Sequence, residues 1–163
     1  MLLREQNVCL NVGEMAPEFS LPDENGNIVM LSDYRGRKNV VLALHPGELT
    51  TGCKDHFRFY ADNLSVFEEL NSQVIALNMA PIESNRLWAE EIGDLGFPVL
   101  SDFAPLGDAT LKYDCIVPNE GYGKRAIFVI DKIGVIRYIE VLKSKGEGCP
   151  NMDRVIETLR ALQ

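Results

Sequence analysis

The chain has 163 residues, of which 46% are hydrophobic and 25% are charged. This length favours a single domain that spans residues 1–163. Its 16 Lys and Arg against 24 Asp and Glu give a net charge of −8, which argues against a nucleic-acid or anionic-membrane partner because both require a basic surface. Its apolar runs are far shorter than the ~20 residues that cross a bilayer. Its start also lacks the basic and apolar stretches of a signal peptide, so we expect a cytoplasmic protein.

The first half of the chain predicts an arm, a hairpin, a buried strand and a helix. We expect residues 1–12 to form a loose or oligomer-contacting arm because they show no period. Apolar residues alternate on either side of Asn25-Gly26, a dipeptide that suits a tight hairpin turn. The apolar run 39–44 predicts a strand that is covered on both faces and ends at His45-Pro46-Gly47. Apolar residues at helical spacing then predict a helix whose buried face extends from Phe57 to Leu70.

The second half alternates strands with helices. The predicted strands are 73–78, 97–101 and a closing hairpin of 125–130 and 134–139, and the predicted helices are 84–92, 106–113 and 151–162. This order favours an α/β fold with a mixed central sheet and helices on both faces, preceded by the N-terminal β-hairpin. No repeat or interdomain linker interrupts the pattern.

Four cysteines are present, and none of them forms a C-x-x-C pair. They are too few for a disulfide scaffold, and their spacing matches no Cys/His zinc module. Cys115 stands among apolar neighbours and is predicted to be a core thiol. Cys9 lies in the predicted arm, where it could form a cross-link or have no role.

Cys53 is the most informative cysteine because it follows a strand and a Pro-Gly turn and falls in the first turn of the predicted helix. Free N–H groups and the positive end of the helix dipole stabilise an anion at that position. A thiolate is such an anion, so we expect a Cys53 pKa below the ordinary value of ~8.5. A small buried filler residue is the alternative, and helix position alone does not decide between the two.

Pro46, Thr50 and Cys53 together form P-x-x-x-T-x-x-C, which resembles the active-site motif of the peroxiredoxins, the AhpC/TSA family of the thioredoxin-like superfamily. The resemblance extends from Val12 onward, and the segment 96–103 is most similar to the alkyl hydroperoxide reductase E group. It implies a thioredoxin-like fold and a thiol-dependent peroxidase that reduces hydrogen peroxide and alkyl hydroperoxides.

The resemblance also implies a role for each matching residue. Cys53 would be the nucleophile that becomes a sulfenic acid, and Thr50 would offer its hydroxyl to the thiolate and the peroxide. Arg125 would stabilise the thiolate and the departing oxygen with a fixed positive charge. Pro46 would shield the thiolate from water, and the backbone N–H groups of Gly52 and Cys53 would complete the pocket. No cofactor or metal is required.

The motif departs from the family pattern at two histidines. His56 occupies the position where peroxiredoxins often carry a glutamate, and His45 precedes the motif proline where an aromatic residue is common. The two histidines and Cys53 could instead ligate a metal, which is the weaker interpretation. Thr50 replaces the first cysteine of C-x-x-C, which disfavours a dithiol exchanger of the thioredoxin type.

The oxidised thiol must be reduced by a second thiol. Cys149, in a Gly-rich loop before the last helix, is a candidate resolving cysteine, within or between subunits. Arg58 stands at another known resolving position and excludes that arrangement. The reductant is otherwise a thioredoxin- or glutaredoxin-like protein or a small thiol, and the resemblance implies a homodimer.

Two other functions use the same sequence features. A peroxide sensor would also oxidise Cys53 but would relay the oxidation to a partner. A thioredoxin-like scaffold would use the cysteine only as a structural residue.

Overall fold

The fold is centred on β3, a strand whose six residues are all buried because both faces of its sheet are covered. The computed structural model describes residues 10–46, 51–93, 95–117, 123–142 and 151–163, with the backbone alone for 51–55. The strands are β1 (Ser20–Pro22), β2 (Ile28–Met30), β3 (Asn39–Leu44), β4 (Ser72–Asn78), β5 (Val99–Ser101), β6 (Ala126–Ile130) and β7 (Ile136–Val141). The helices are α1 (Thr51–Asp62), α2 (Leu64–Glu69), α3 (Ile82–Ile92), α4 (Asp108–Lys112) and α5 (Met152–Ala161), with a 3-10 helix at Leu31–Tyr34.

The main sheet has five strands in the order β5-β4-β3-β6-β7. β3 is parallel to β4, and β4 is parallel to β5, whereas β6 is antiparallel to both β3 and β7. The predicted mixed sheet is therefore confirmed, together with the separate two-stranded hairpin of β1 and β2. Within the described ranges, no helix has the length and apolar character needed to span a membrane.

Two apolar clusters cover the two faces of this sheet. On one face α1, α2, α3 and α5 contribute buried side chains, which include Phe57, Tyr60, Phe67, Trp88, Val155 and Leu159. On the other face the hairpin, the 3-10 helix and the segment around α4 contribute Phe19, Leu21, Leu31, Ala109, Tyr113 and Cys115. Each fully buried large apolar side chain stabilises the fold by about 1.5–3 kcal/mol relative to its exposed state. Helices therefore lie on both faces, as the sequence predicts.

The turn of the N-terminal hairpin uses Asp23 and Gly26. The carboxylate Oδ1 of Asp23 accepts the backbone N–H groups of Asn25 and Asn27, each at 2.9 Å. Gly26 has φ +84°, a conformation that glycine adopts without the steric cost of a side chain. The Asn-Gly signal in the sequence is thus explained by the backbone.

The helical regions differ from the sequence prediction in two places. The predicted long helix is divided into α1 and α2 at Asn63, whose side-chain amide donates to the carbonyl of Phe59 at 2.8 Å. Asparagine side chains compete with the helical backbone for hydrogen bonds, which explains the break at Asn63. α3 begins at Ile82 with Pro81 at its N-cap, two residues earlier than the predicted start at 84, because proline is well tolerated at a helix start.

The register of β3 and β6 positions the candidate site. Leu44 pairs with Ala126 in the antiparallel ladder, so the next residues, His45 and Arg125, lie at the same edge of the sheet. β3 ends at this edge and α1 begins at Thr51, a few residues further along the chain. The carboxyl end of one central strand, the amino end of another and the start of a helix therefore converge.

Candidate active site

The first turn of α1 supplies the anion-stabilising part of the site. α1 begins at Thr51, and Gly52 and Cys53 are its second and third residues. The first four backbone N–H groups of an α-helix have no acceptor within the helix, and they carry the positive end of its dipole. An anion near Cys53 would therefore be stabilised by the helix backbone before any side chain contributes.

Arg125 supplies a buried cation at the start of β6. Only 2% of its surface is exposed, which is rare for an arginine. Its backbone carbonyl accepts the N–H of Leu142 at 2.8 Å, and this bond extends the β6–β7 pairing to the edge of the sheet. Burial lowers the pKa of both His45 and His56, and the charge of Arg125 lowers each of them further, so the three side chains share one region of the site.

His45 lies at the end of β3, with 2% of its surface exposed. Its ring packs edge-on against Phe57 at 4.4 Å between centroids, and it lies 5.0 Å from the ring of Trp88. Burial lowers the pKa of His45 well below its ordinary value, and the neighbouring His56 and Arg125 lower it further. Neither ring nitrogen has a hydrogen-bond partner among the residues that the structure describes. His45 is therefore a neutral imidazole that fills an aromatic position.

His56 lies on α1, three residues after Cys53, with 1% of its surface exposed. Burial lowers the pKa of His56 from 6.5 to about 3, and the charge of Arg125 acts in the same direction. Its ring lies 4.7 Å from the ring of Tyr60, one helical turn further along α1. His56 is therefore also neutral at physiological pH.

The arrangement combines a helix N-terminus, a buried arginine and two uncharged imidazoles. The positive potential of Arg125 is retained in a region with little water, where electrostatic interactions are stronger than in bulk solvent. An opposite charge within about 4–6 Å lowers the pKa of a thiol and favours its anion. The site can therefore hold a thiolate and stabilise negative charge that develops on an oxygen atom.

The structure brings together several of the residues that the sequence singles out. His45, Pro46, His56 and Arg125 are all buried at the edge of the sheet where α1 begins. Thr50, Cys149 and Cys9 lie outside the described residues, as does the side chain of Cys53, so the roles of these residues and of the Gly52 backbone stay predictions.

Two aromatic residues that the sequence does not single out contact the site. Tyr60 packs on His56, and Trp88 packs on both His45 and Phe57. The spacing of four residues between His56 and Tyr60 could have indicated the first contact, because residues at this spacing share a helix face. The contact of Trp88 depends on the packing of α3 against α1, which no local sequence signal reveals.

The metal interpretation gains no support from the described residues. Among them, no group of three His, Cys, Asp or Glu side chains is arranged to hold a metal ion. The positive charge of Arg125 beside both histidines also disfavours a cation at that place.

Cys115 is a core thiol, as the sequence predicts. It is fully buried, and its sulfur donates to the carbonyl of Tyr113 at 3.2 Å. Burial raises the pKa of Cys115 to about 12, with smaller effects from Lys124 and Asp114. Because the thiolate is the reactive form of cysteine, this thiol is unreactive at physiological pH.

Comparisons with known proteins agree with this geometry. Residues 12–139 match the AhpC/TSA family. Alkyl hydroperoxide reductase E of Mycobacterium tuberculosis is 38% identical over 138 residues, which cover 85% of this chain and 89% of that protein. The chloroplastic 2-Cys peroxiredoxin BAS1 of Hordeum vulgare is 30% identical over 161 residues, covering 93% of this chain and 75% of that protein.

Solved structures show the same fold. The crystal structure of peroxidoxin BcpB from Mycobacterium tuberculosis matches with a TM-score of 0.82 and 24% identity, covering 95% of this chain and 99% of that one. The reduced 2-Cys peroxiredoxin of Plasmodium vivax matches with a TM-score of 0.84 and 21% identity, covering 95% and 83%. The sheet and helices described above therefore form a thioredoxin-like fold.

The two neutral histidines predict a loss of stability at mildly acidic pH. The folded protein holds the pKa of His56 at about 3, whereas the unfolded chain has the ordinary value near 6.5. As the pH falls below 6.5 the unfolded state binds protons that the folded state does not, so the free energy of unfolding decreases by up to about 1.4 kcal/mol per pH unit for each histidine. Urea unfolding at several pH values between 7.5 and 5 measures this slope.

His56→Gln is the matched variant for this measurement because it keeps a polar side chain but does not titrate. We expect the variant to show a shallower dependence of unfolding free energy on pH between 6.5 and 5 than the unmodified protein. Equal slopes in the two proteins would show that His56 does not remain neutral in the folded state.

Proposed function

The chain belongs to the AhpC/TSA family and is a thiol-dependent peroxidase, and we propose that Cys53 is its nucleophile. The proposal is supported by one observation above all, the convergence of the first turn of α1 with the buried Arg125 at one edge of the sheet. Such an arrangement stabilises a thiolate in its resting state and an oxyanion as it forms.

The reaction begins with the thiolate of Cys53 and a peroxide, either hydrogen peroxide or an alkyl hydroperoxide. The sulfur attacks the terminal peroxide oxygen, so an S–O bond forms while the O–O bond breaks. The sulfur is oxidised to sulfenic acid, and the other oxygen leaves as hydroxide or alkoxide, which takes up a proton to become water or alcohol. Arg125 stabilises the negative charge on the departing oxygen.

Three further residues complete the proposed pocket. Thr50 offers its hydroxyl to the thiolate and then to the peroxide, and the backbone N–H groups of Gly52 and Cys53 bind the two oxygens. Pro46 is buried at the end of β3, which supports its role in keeping water from the sulfur. A dry pocket strengthens each of these electrostatic contacts.

We also propose that Cys149 is the resolving cysteine. It belongs to the segment 143–150. The described residues on both sides of this segment, Leu142 and Asn151, are hydrogen-bonded to the rest of the protein. Leu142 donates its N–H to the carbonyl of Arg125 at 2.8 Å. Asn151 donates its N–H to the carboxylate of Glu140, at 3.0 Å and 3.1 Å to the two oxygens. The segment that carries Cys149 therefore follows Leu142, whose backbone is hydrogen-bonded to the backbone of Arg125, the proposed catalytic arginine.

Resolution would convert the sulfenic acid to a disulfide. The thiol of Cys149 attacks the sulfur of Cys53, an S–S bond forms, and the hydroxyl leaves as water. A thioredoxin- or glutaredoxin-like protein, or a small thiol, then reduces the disulfide by exchange. This need for a thiol reductant supports a cytoplasmic location, where thiols are kept reduced.

A homodimer is the proposed assembly. The segment around α4 leaves large apolar side chains exposed, with Phe103 49% and Leu106 56% accessible. The two residues form a β-bridge with each other, so they belong to one surface region. Exposed apolar side chains that lie together are typical of a protein interface.

Replacement of Cys53 tests the proposed nucleophile. We expect Cys53→Ser to lower peroxide consumption to the uncatalysed rate, because a serine hydroxyl does not ionise at neutral pH. Cys115→Ala removes a thiol that lies outside the site and is the matched control, so it should retain turnover in the presence of a thiol reductant. Undiminished turnover by Cys53→Ser would contradict the proposal.

Mass spectrometry after one equivalent of peroxide tests the role of Cys149. We expect the oxidised protein to contain a Cys53–Cys149 disulfide. We expect Cys149→Ser to accumulate sulfenic acid at Cys53 instead. A persistent sulfenic acid at Cys53 in the unmodified protein would show that the reductant acts on it directly and that Cys149 does not resolve it.

A further inference from the structure

A row of buried polar side chains crosses the sheet at the edge where the candidate site lies. From β5 to β6 the row consists of Ser101, Asn78, His45 and Arg125, each of them 2% exposed. Asn78 pairs with Ser101, and Leu44 pairs with both Leu77 and Ala126, so the residues one step beyond these last pairs are also level. Level residues on neighbouring strands direct their side chains to the same face. The polar row therefore starts at the site and continues away from it to β5.

Asn85 of α3 lies over the β4 and β5 end of this row and is hydrogen-bonded to it. The side-chain amide of Asn78 donates to Oδ1 of Asn85 at 2.7 Å. The amide of Asn85 donates to Oδ1 of Asn78 at 2.9 Å and to Oγ of Ser101 at 2.8 Å. The oxygen of Asn78 also accepts the backbone N–H of Ala80 at 3.1 Å. Asn78, Asn85 and Ser101 thus form one polar cluster, and a buried cluster with satisfied hydrogen bonds specifies a single packing arrangement.

Trp88 of α3 covers the other end of the row, at the site. It follows Asn85 by three residues, so the two side chains share one face of the helix. Its ring lies 5.0 Å from the ring of His45 and 4.3 Å from the ring of Phe57, which belongs to α1. The indole is 3% exposed, so it separates this edge of the sheet from solvent.

The aromatic contacts of Trp88 are not directed by hydrogen bonds. Among the residues that the structure describes, neither the indole nitrogen of Trp88 nor the ring nitrogens of His45 have a hydrogen-bond partner. Apolar packing is non-directional, so it does not by itself determine where the indole lies along the sheet. The directional bonds that connect α3 to this edge are those of the polar cluster, one helical turn before Trp88.

We propose that the polar cluster positions Trp88 at the proposed active site, by holding α3 on the sheet so that the indole packs on His45 and Phe57. Asn78, Asn85 and Ser101 are positioning residues, since they act through Trp88. The inference rests on the proposed peroxidase site at this edge, and it deepens that proposal by naming the side chains that keep the site enclosed.

Loss of the cluster would change the site without removing any group from it. If Asn85 cannot bond, the amide of Asn78 and the hydroxyl of Ser101 are left buried without this partner, which is costly unless α3 moves and admits water. Such a movement carries Trp88 with it and loosens the packing on His45. A displacement of about 1 Å in the groups around a reaction can lower its rate by about a hundredfold.

The test follows the fluorescence of Trp88, the single tryptophan of the chain, together with peroxidase kinetics. Quenching by acrylamide measures how well the indole is shielded, and kcat/KM is measured for hydrogen peroxide with dithiothreitol as the reductant. Asn85→Leu has a similar side-chain volume but removes the hydrogen bonds of Asn85 to the sheet. We expect stronger quenching of Trp88 in this variant, and a kcat/KM lower by about tenfold or more.

Ser101→Ala and Ser72→Ala form a matched pair for the same measurements. Each removes one buried serine hydroxyl, since Ser101 is 2% exposed and Ser72 is 3% exposed. The hydroxyl of Ser72 donates to the carbonyl of Leu70 at 2.9 Å, at the start of β4 and therefore at the opposite edge of the sheet. We expect Ser101→Ala to shift both readouts in the direction of Asn85→Leu, by a smaller amount, and Ser72→Ala to shift neither.

The inference is overturned if folded Asn85→Leu keeps the Trp88 quenching or the kcat/KM of the unmodified protein. A cluster that only stabilises the fold would lower the unfolding temperature and leave both readouts unchanged. If Asn85→Leu does not fold, the serine pair decides, and equal results for Ser101→Ala and Ser72→Ala overturn the inference. The quenching assay uses no peroxide, so a failure of the nucleophile proposal, seen with Cys53→Ser, is recognised separately.

Discussion

A buried guanidinium at the edge of a β-sheet is the constraint on which the candidate site depends. Arg125 is almost completely removed from water, and it directly precedes β6, a central strand whose five residues are all buried. A charge in such a position is costly unless its surroundings compensate it. The cost arises because burial removes the guanidinium from water, and the attraction between the guanidinium and a thiolate of Cys53 at the start of α1 would offset it. The proposed thiolate and its arginine therefore stabilise each other.

The fold provides this arrangement through strand register. Leu44 and Ala126 are paired, so the chain leaving β3 and the chain entering β6 meet at one edge, and α1 begins there. Aromatic packing then encloses the region, since Phe57 contacts both His45 and Trp88. The two imidazoles are buried without charge, and this leaves the arginine as the source of positive potential that both of them experience.

Much of the fold follows from the sequence because its signals are local. The apolar run 39–44 and the Asn-Gly turn correspond to β3 and to the first hairpin, since burial on both faces and a tight turn each leave a clear pattern. The apolar periodicity does not predict the helix break at Asn63. The break depends on one hydrogen bond, from the side-chain amide of Asn63 to a helical carbonyl, and this bond does not change the spacing of the apolar residues. The order of strands in the sheet is a property of long-range pairing, which the sequence order of elements restricts but does not determine.

The site was predictable only in part, for a related reason. The P-x-x-x-T-x-x-C spacing indicates a thiol at a helix start, and the family resemblance adds Arg125 across the sheet. Neither local spacing nor composition shows that His45 and His56 are neutral, because this depends on burial and on the distance to a charge from another strand. The aromatic contacts of Trp88 likewise exist only after α3 has packed on α1.

Titration of the Cys53 thiol in Arg125→Met and Arg125→Lys tests the central claim most directly. Methionine has a similar reach but no charge, whereas lysine keeps the charge without the planar set of donors. The account predicts a Cys53 pKa below the ordinary ~8.5 in the unmodified protein, a rise toward that value in Arg125→Met, and an intermediate value in Arg125→Lys. An unchanged pKa in a folded Arg125→Met variant would contradict it.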